Sequence, residues 1–96
     1  MERDFQSINE AVALCRTTPG AVLLDVRTPE EYAQGHIPES VNFPLERLRD
    51  YDGGEKVFAY CHSGARSARA CALLAQMDVR AVNIGGIVDY VGELER

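Results

Sequence analysis

Short apolar runs alternate with helix signals along this chain, and that alternation restricts the fold more than any other feature. Residues 21–26 (AVLLDV), 56–60 (KVFAY) and 81–84 (AVNI) are rich in apolar residues, as is typical of strands covered on both faces. The stretches between them are long enough for helices. Parallel strands need such crossovers, and the pattern therefore predicts an α/β domain with a mostly parallel sheet.

Capping residues mark where the helices start. Ser7 and Glu10 have the spacing of a capping box, while Thr28, Pro29 and Glu31 supply a cap, a first-turn proline and a capping glutamate. A brief strand is predicted over 41–43. The predicted helical segments are 8–16, a short helix from Pro29 that ends before Gly35 and Pro38, a helical turn at 44–48, and helices over 67–77 and 87–94.

The composition is that of one small globular domain. The chain has 96 residues, 46% of them hydrophobic and 26% charged, and we expect a single domain over residues 1–96. Its net charge is −5 and it has no block of lysine or arginine. Nucleic acid and anionic membranes are therefore poor general partners, although a local basic pocket stays open. The charged start (MERD) and the lack of any run near ~20 apolar residues predict neither a signal peptide nor a membrane span.

Three cysteines cannot all pair within the chain, and their spacing matches no zinc pattern. We therefore expect a reduced, cytoplasmic protein without a metal. Cys15 and Cys71 lie among apolar residues inside predicted helices, which indicates core positions. Cys71 has a second interpretation, as a resolving thiol near Cys61. The predicted core face of the 67–77 helix consists of Ala68, Cys71, Ala72 and Ala75.

Cys61 is in a different setting. It ends an apolar run and is followed by a short polar loop and a predicted helix start. Unpaired N–H groups and the positive end of the helix dipole favour an anion at such a position. They favour the thiolate, which is the nucleophilic form of cysteine. Ligands of parallel α/β sheets also bind beyond the carboxyl ends of strands.

The residues after Cys61 are consistent with an anion site. Gly64 lets the backbone turn so that successive N–H groups converge, and small Ser63 and Ala65 leave the concavity open. Arg66 adds a planar donor fork suited to oxyanions. The alternative is a structural cysteine before an ordinary helix, and phosphate-binding loops use the same physics. The loop alone leaves these interpretations open.

Four segments in order carry a resemblance to a known family: 24–32 (LDVRTPEEY), 35–44 (GHIPESVNFP), 60–67 (YCHSGARS) and 83–87 (NIGGI). Together they closely resemble the rhodanese-like sulfurtransferases, from about Ser7 to Leu94. The resemblance implies a three-layer α/β fold with a five-stranded, mostly parallel sheet and helices on both faces. It also implies that Cys61 takes a sulfane sulfur from a donor such as thiosulfate as a persulfide. Cyanide or a thiol then accepts that sulfur, with no metal or organic cofactor.

The resemblance also implies which residues form the site. Cys61 is the expected nucleophile, and His62 is expected at the rim as a specificity position. For Arg66 two interpretations exist, donor binding and a clamp to a nearby acid, of which we favour donor binding. Asp25 and Arg27 either shape the pocket or form an ion pair that ties their loop to the following helix, and we favour the ion pair. The expected substrate-binding loop is His62, Ser63, Gly64, Ala65, Arg66 and Ser67.

Loop length separates the related chemistries. Four residues lie between Cys61 and Arg66, one fewer than in the related cell-cycle phosphatases. A persulfide ends in one sulfur atom, whereas a phosphoryl group needs room for three oxygens, so the short loop favours sulfur transfer. Two alternatives stay open: a persulfide carrier or interaction module for a protein partner, and a phosphatase or arsenate reductase. A monomer is the default expectation.

Two positions depart from the family pattern. Tyr90 stands where many relatives have tryptophan, and we expect it to fill the same packing role. Glu39 replaces a common glycine, and we expect this to affect only a loop. His36, in the Gly-His-Ile-Pro turn, is expected to make structural hydrogen bonds rather than to act as a base.

Overall fold

The computed structural model describes residues 5–96, and its strands form one parallel sheet. Leu23 of the first strand lies beside Phe58 of the third, which lies beside Val82 of the fourth. The predicted α/β class is confirmed. The strands are β1 (Ala21–Asp25), β2 (Val41–Asn42), β3 (Lys56–Cys61) and β4 (Arg80–Gly86), in the order β2-β1-β3-β4.

The sheet has four strands within residues 5–96, whereas five were expected. The fifth strand was implied by the family resemblance alone, since the sequence itself offers only four strand-like runs. Ser7 lies in extended backbone as the N-cap of the first helix and belongs to no strand. Residues 1–4, on which the expectation of a charged, leaderless start depended, lie outside the described residues.

The predicted helix caps are present. Ser7 Oγ accepts a hydrogen bond from the Glu10 N–H at 3.1 Å, and Thr28 and Glu31 form a reciprocal capping box. Among residues 5–96 no helix is long and apolar enough to cross a membrane. The helices are α1 (Ile8–Thr17), α2 (Pro29–Gln34) and α3 (Ala65–Gln76), with 3-10 helices at Leu45–Asp50 and Ile87–Asp89.

The predicted final helix over 87–94 is wrong beyond its first turn, the 3-10 helix Ile87–Asp89. The residues after Asp89 form hydrogen bonds with residues that are distant in sequence instead. The Val91 N–H donates to Asn9 Oδ1 at 2.9 Å, and Glu95 forms an antiparallel bridge with His36. These hydrogen bonds replace the ones that a helix would have made, and they tie the tail to the body of the protein.

Side chains alternate across the strands and form two apolar layers, one on each face of the sheet. On one face Val12 and Cys15 of α1 pack with Phe58, and Tyr90 packs at the edge of this layer, as expected. On the other face Ala70 and Leu74 of α3 pack with sheet residues and with Leu48 of the 3-10 helix. Helices therefore cover both faces, as the three-layer expectation requires.

The predicted core face of α3 is wrong by about one position. Ala68, Ala72 and Ala75 are exposed, and Cys71 is half-buried. The prediction followed the alanines and Cys71 and left out Leu74, the largest of the buried side chains of the helix. The buried residues of the helix are Ser67, Ala70 and Leu74.

Glu39 has a left-handed backbone conformation, with φ of 73°. Residues with a Cβ pay roughly 1–2 kcal/mol for this conformation, which explains why glycine suits the position. Glu39 Oε1 accepts a hydrogen bond from Arg16 Nε at 2.8 Å, but both side chains are largely exposed. Exposed pairs of this kind contribute little to stability.

We therefore expect Glu39→Gly to be more stable than Glu39→Ala by about 1 kcal/mol, because only glycine adopts this φ without strain. Both variants lose the Arg16 pair, so their comparison isolates the backbone term. Urea unfolding of the two variants measures the difference. Equal stabilities, or a more stable alanine variant, would contradict the assignment of strain to this position.

Candidate active site

Cys61 is the last residue of β3, and its side chain is buried, with 1% of the residue exposed. Its Sγ accepts hydrogen bonds from the Gly64 N–H at 3.0 Å, the Ser67 N–H at 3.4 Å and the Ser67 hydroxyl at 3.4 Å. The Ser63 N–H contributes a further bond. The sequence predicted N–H donors converging from positions 62–67, and the donors to the sulfur come from residues 63, 64 and 67.

This convergence depends on the backbone at Gly64, which caps α3 with a φ of 106°. The left-handed turn reverses the chain directly after β3, so N–H groups on both sides of it face the sulfur. It also starts α3 at Ala65, two residues earlier than predicted. The amino end of α3 is consequently next to Cys61.

The two glycines of the 83–87 segment have different functions. Gly85 has a φ of 107°, at an irregularity where the β3–β4 register shifts after Ala59. Gly86 has an ordinary extended φ of −124°, but a Cβ there would collide with the backbone of His62 and Ser63. Close packing of β4 against the loop therefore requires a residue without a side chain at position 86.

Asn83 of β4 holds the cysteine loop through hydrogen bonds of its side-chain amide. Its Nδ2 donates to the Gly64 carbonyl at 3.0 Å, and its Oδ1 accepts from the Ser67 hydroxyl at 2.7 Å and from the Gly85 N–H at 3.0 Å. The single hydroxyl proton of Ser67 thus has three competing acceptors, Asn83 Oδ1, the Gly64 carbonyl at 3.2 Å and Cys61 Sγ. The backbone donors to the sulfur are fixed, whereas this hydroxyl can turn between the three.

The hydrogen bonds decide the ionisation of Cys61. Burial by itself raises the pKa of the thiol, but the bonds from the Ser67 hydroxyl and from the N–H groups of Ser67, Gly64 and Ser63 outweigh it and hold the pKa below its usual value. Cys15 and Cys71 have no such donors among residues 5–96, and burial raises the pKa of each to about 11. A lowered thiol pKa is what a cysteine nucleophile requires.

Comparison with known proteins agrees with this geometry. The Rhodanese-like domain family model matches residues 7–93. This chain belongs to the rhodanese-like domain family. A sulfurtransferase of Allochromatium vinosum is 39% identical over 95 residues, which cover 93% of this chain and 86% of the relative. Thiosulfate sulfurtransferase PspE of Escherichia coli is 34% identical, with 69% of this chain and 70% of the relative covered.

Solved structures agree on the fold. The crystal structure of a rhodanese-like domain protein from Staphylococcus aureus superimposes with a TM-score of 0.75 at 29% identity, covering 93% of both chains. The chain therefore shares the rhodanese-like α/β architecture, with four parallel strands in the part of the chain that the structure describes.

Arg66 forms the clamp to a nearby acid that was one of its two interpretations, while donor binding by Arg66 stays a prediction. Its Nη1 and Nη2 donate to Glu31 Oε1 and Oε2 at 2.7 and 2.9 Å, which joins the start of α3 to α2. Glu31 also accepts from the Thr28 N–H at 3.0 Å. The Arg66 hydrogen bonds lower the pKa of Glu31 to about 2, and the carboxylate in turn raises the pKa of Arg66. Two of the five guanidinium N–H groups are thus bonded to Glu31, and the position of the guanidinium depends on that carboxylate.

Asp25 and Arg27 form the ion pair that the sequence analysis favoured. Arg27 Nε and Nη2 donate to the two Asp25 carboxylate oxygens at 3.0 and 2.7 Å, and both residues are buried. Arg27 Nη2 also donates to the Gly35 carbonyl at 2.7 Å, which ties the end of α2 to β1. Arg27 lines a cavity of about 410 Å³ beside His62, so the pair also borders the site.

The remaining positions divide into rim and support. His62, Ser63 and Ala65 are exposed on the loop, as a rim would be. His36 stacks on Tyr32 at 3.7 Å between ring centroids, and its Nδ1 lies 2.9 Å from the Tyr32 carbonyl, in agreement with a structural hydrogen-bonding role. Among residues 5–96 no cluster of three metal-ligating side chains exists.

Sequence reasoning missed two residues of the site. Asn83 carried a signal, since it is the one amide in an otherwise apolar predicted strand. Glu31 was recognised only as a helix cap, because its partner Arg66 is 35 positions away and no local pattern reports such a contact.

We expect Ser67→Ala to raise the pKa of Cys61, because the variant removes the hydroxyl donor to the thiolate while keeping the backbone N–H. The rate of alkylation by neutral iodoacetamide against pH gives this pKa as its midpoint. Ser63→Ala is the matched control, since it removes an exposed hydroxyl and retains the N–H donor. An unchanged midpoint in Ser67→Ala would contradict the hydroxyl bond to the sulfur and would mean that the hydroxyl donates to Asn83 or to the Gly64 carbonyl instead.

We expect Glu31→Gln to destabilise the protein by about 1 kcal/mol at neutral pH, because a two-pronged ion pair loses its charge. The pKa of Glu31 is about 2 in the folded protein against an ordinary 4.5. The wild type's advantage is therefore complete above about pH 4.5 and is lost as the pH falls towards about 2.

Urea unfolding of wild type and variant at pH 7, 4 and 2.5 measures this convergence. Glu30→Gln is the matched control, since it removes the same charge from the same helical turn and Glu30 has no ion pair within residues 5–96. A stability difference that does not change with pH would contradict the electrostatic origin.

Proposed function

We propose that this protein is a sulfurtransferase that carries a sulfane sulfur on Cys61 as a persulfide. The observation that supports this best is the set of hydrogen-bond donors around Cys61 Sγ, which stabilises an anionic sulfur without a general base. The chain belongs to the rhodanese-like domain family, and two relatives similar to it are named sulfurtransferases, which supports the same reaction class.

The reaction has two steps. The Cys61 thiolate attacks the outer sulfur of a donor such as thiosulfate, a new S–S bond forms, and sulfite leaves with the electron pair of the broken S–S bond. Cyanide or a thiolate then attacks the outer sulfur of the persulfide, and the electron pair of that bond returns to Cys61 Sγ. Because the two substrates react in turn with one covalent intermediate, ping-pong kinetics are expected.

We assign the residues of the loop to this intermediate. The N–H groups of Ser63, Gly64 and Ser67 hold the sulfur anion, and the amino end of α3 contributes its positive potential. Arg66 keeps the loop against α2 through Glu31, and its charge still adds to the potential at the thiol. His62, Ser63 and Ala65 form the exposed rim where a donor approaches.

We further propose thiosulfate as the donor and cyanide or a thiol as the acceptor. We also propose that the protein is a monomer of one domain over residues 1–96 in a reduced, cytoplasmic setting. Two alternative functions are a persulfide carrier for a protein partner and a phosphatase or arsenate reductase. Fast loading from a protein persulfide beside slow thiosulfate turnover favours the carrier, and hydrolysis of an aryl phosphate favours the phosphatase.

Incubation with thiosulfate should add one sulfur atom to the wild-type protein, as read by intact-protein mass spectrometry. Cys61→Ser should show no such gain, because the attacking thiolate is absent. Cys71→Ser is the matched control and should still be loaded, since burial raises the pKa of Cys71 and keeps it protonated. Equal mass gains in wild type and Cys61→Ser would refute the assignment.

A further inference from the structure

A cavity of about 510 Å³ lies between α3 and the 3-10 helix Leu45–Asp50. Val26, Leu45 and Leu73 give it an apolar lining, and Arg66 of the cysteine loop lines it as well. Val26 donates its N–H to the carbonyl of Tyr60, the residue before Cys61, at 3.1 Å, so two lining residues, Val26 and Arg66, adjoin the strand and the loop of the thiol. A space of this size, with apolar and charged residues in its lining, is typical of sites for organic molecules that carry charge.

The charges that line the cavity are unbalanced. Arg49 and Arg69 both line it, and neither forms an ion pair with any residue of the described range 5–96. The third arginine, Arg66, is already paired with Glu31. Glu46 supplies the single carboxylate of the lining. Two unpaired guanidinium groups therefore face one carboxylate, on a chain whose net charge is −5.

We propose that this cavity binds the organic thiol that accepts sulfur from Cys61, and that Arg49 and Arg69 select thiols carrying carboxylates. The proposal rests on the proposed function for its chemistry. The acceptor thiolate attacks the outer persulfide sulfur, an S–S bond forms on the acceptor, and the electron pair of the broken bond returns to Cys61 Sγ. Guanidinium forks pair with carboxylates in two-pronged geometry, while the apolar lining takes up the carbon skeleton.

The test compares two acceptors on the same persulfide enzyme, mercaptosuccinate with two carboxylates and neutral 2-mercaptoethanol. In Arg49→Ala/Arg69→Ala the ratio of kcat/KM for mercaptosuccinate to that for 2-mercaptoethanol should fall roughly fivefold or more at low salt. Because both acceptors react with the same intermediate, any effect on loading cancels in the ratio. Glu46→Gln should move the ratio in the opposite direction.

Arg47→Ala is the matched control. Arg47 lies in the same 3-10 helix and is exposed like Arg49, but it does not line the cavity. An equal fall in the ratio for Arg47→Ala would reveal a general effect of net charge and overturn the proposal. An unchanged ratio in the double variant would overturn it as well.

A binding measurement separates this site from the sulfur chemistry. The thioether methylthiosuccinate, which cannot accept sulfur, is titrated into Cys61→Ser, and amide shifts are followed by NMR. Saturable shifts at Leu45 and Leu73 that weaken roughly fivefold in the background of Arg49→Ala/Arg69→Ala support the site. No saturable shift there refutes it. Binding without any loading of wild-type Cys61 by thiosulfate supports the cavity site and refutes the proposed function.

Discussion

The hydrogen bonds to Cys61 Sγ are the interaction on which the rest of the site depends. They exist because the chain turns left-handed at Gly64 directly after β3, so that donors before and after the turn face the same atom. Burial without those donors raises the pKa of the thiol at Cys15 and Cys71. The pKa of cysteine is thus shifted in opposite directions within one small protein, and the hydrogen-bond donors of the loop make the difference.

The loop holds its shape because β4 supports it. Gly86 allows the backbone of β4 to pack against residues 62 and 63, where any side chain would collide. Asn83 then bonds both the Gly64 carbonyl and the Ser67 hydroxyl, so the turn is fixed at its corner and at the first turn of α3. A fixed loop keeps its donors aimed at the sulfur, so the stabilisation of an anionic sulfur is preorganised.

Some charged groups around the loop form ion pairs that hold the structure together, and others have no ion-pair partner among the described residues. The Asp25–Arg27 pair is buried and ties α2 to β1, and the Arg66–Glu31 pair ties α2 to α3. Both pairs therefore position the walls of the site. Arg49 and Arg69 have no such partner among the described residues, and their charge is available to a ligand. A negatively charged protein can attract an anionic substrate in this way only through a local concentration of unpaired arginine.

Four features were predictable from the sequence, because each is encoded in residues that are neighbours along the chain. They are the α/β class, the caps of α1 and α2, the position of Cys61 at a strand end and the core assignment of Cys15. The fifth strand, which only the family resemblance implied, is not found within residues 5–96, where no further apolar run supports it. The core face of α3 was predicted wrongly because the prediction followed the alanines rather than Leu74. The prediction of the final helix failed because its residues bond to Asn9 and His36, which are distant in sequence.

The tertiary structure alone decided three features: the ion pair of Arg66, the support of the loop by Asn83 and the arginine-lined cavity. Each joins groups that lie far apart in the chain, and only the packing of the layers brings their charges and hydrogen-bonding atoms within reach of one another.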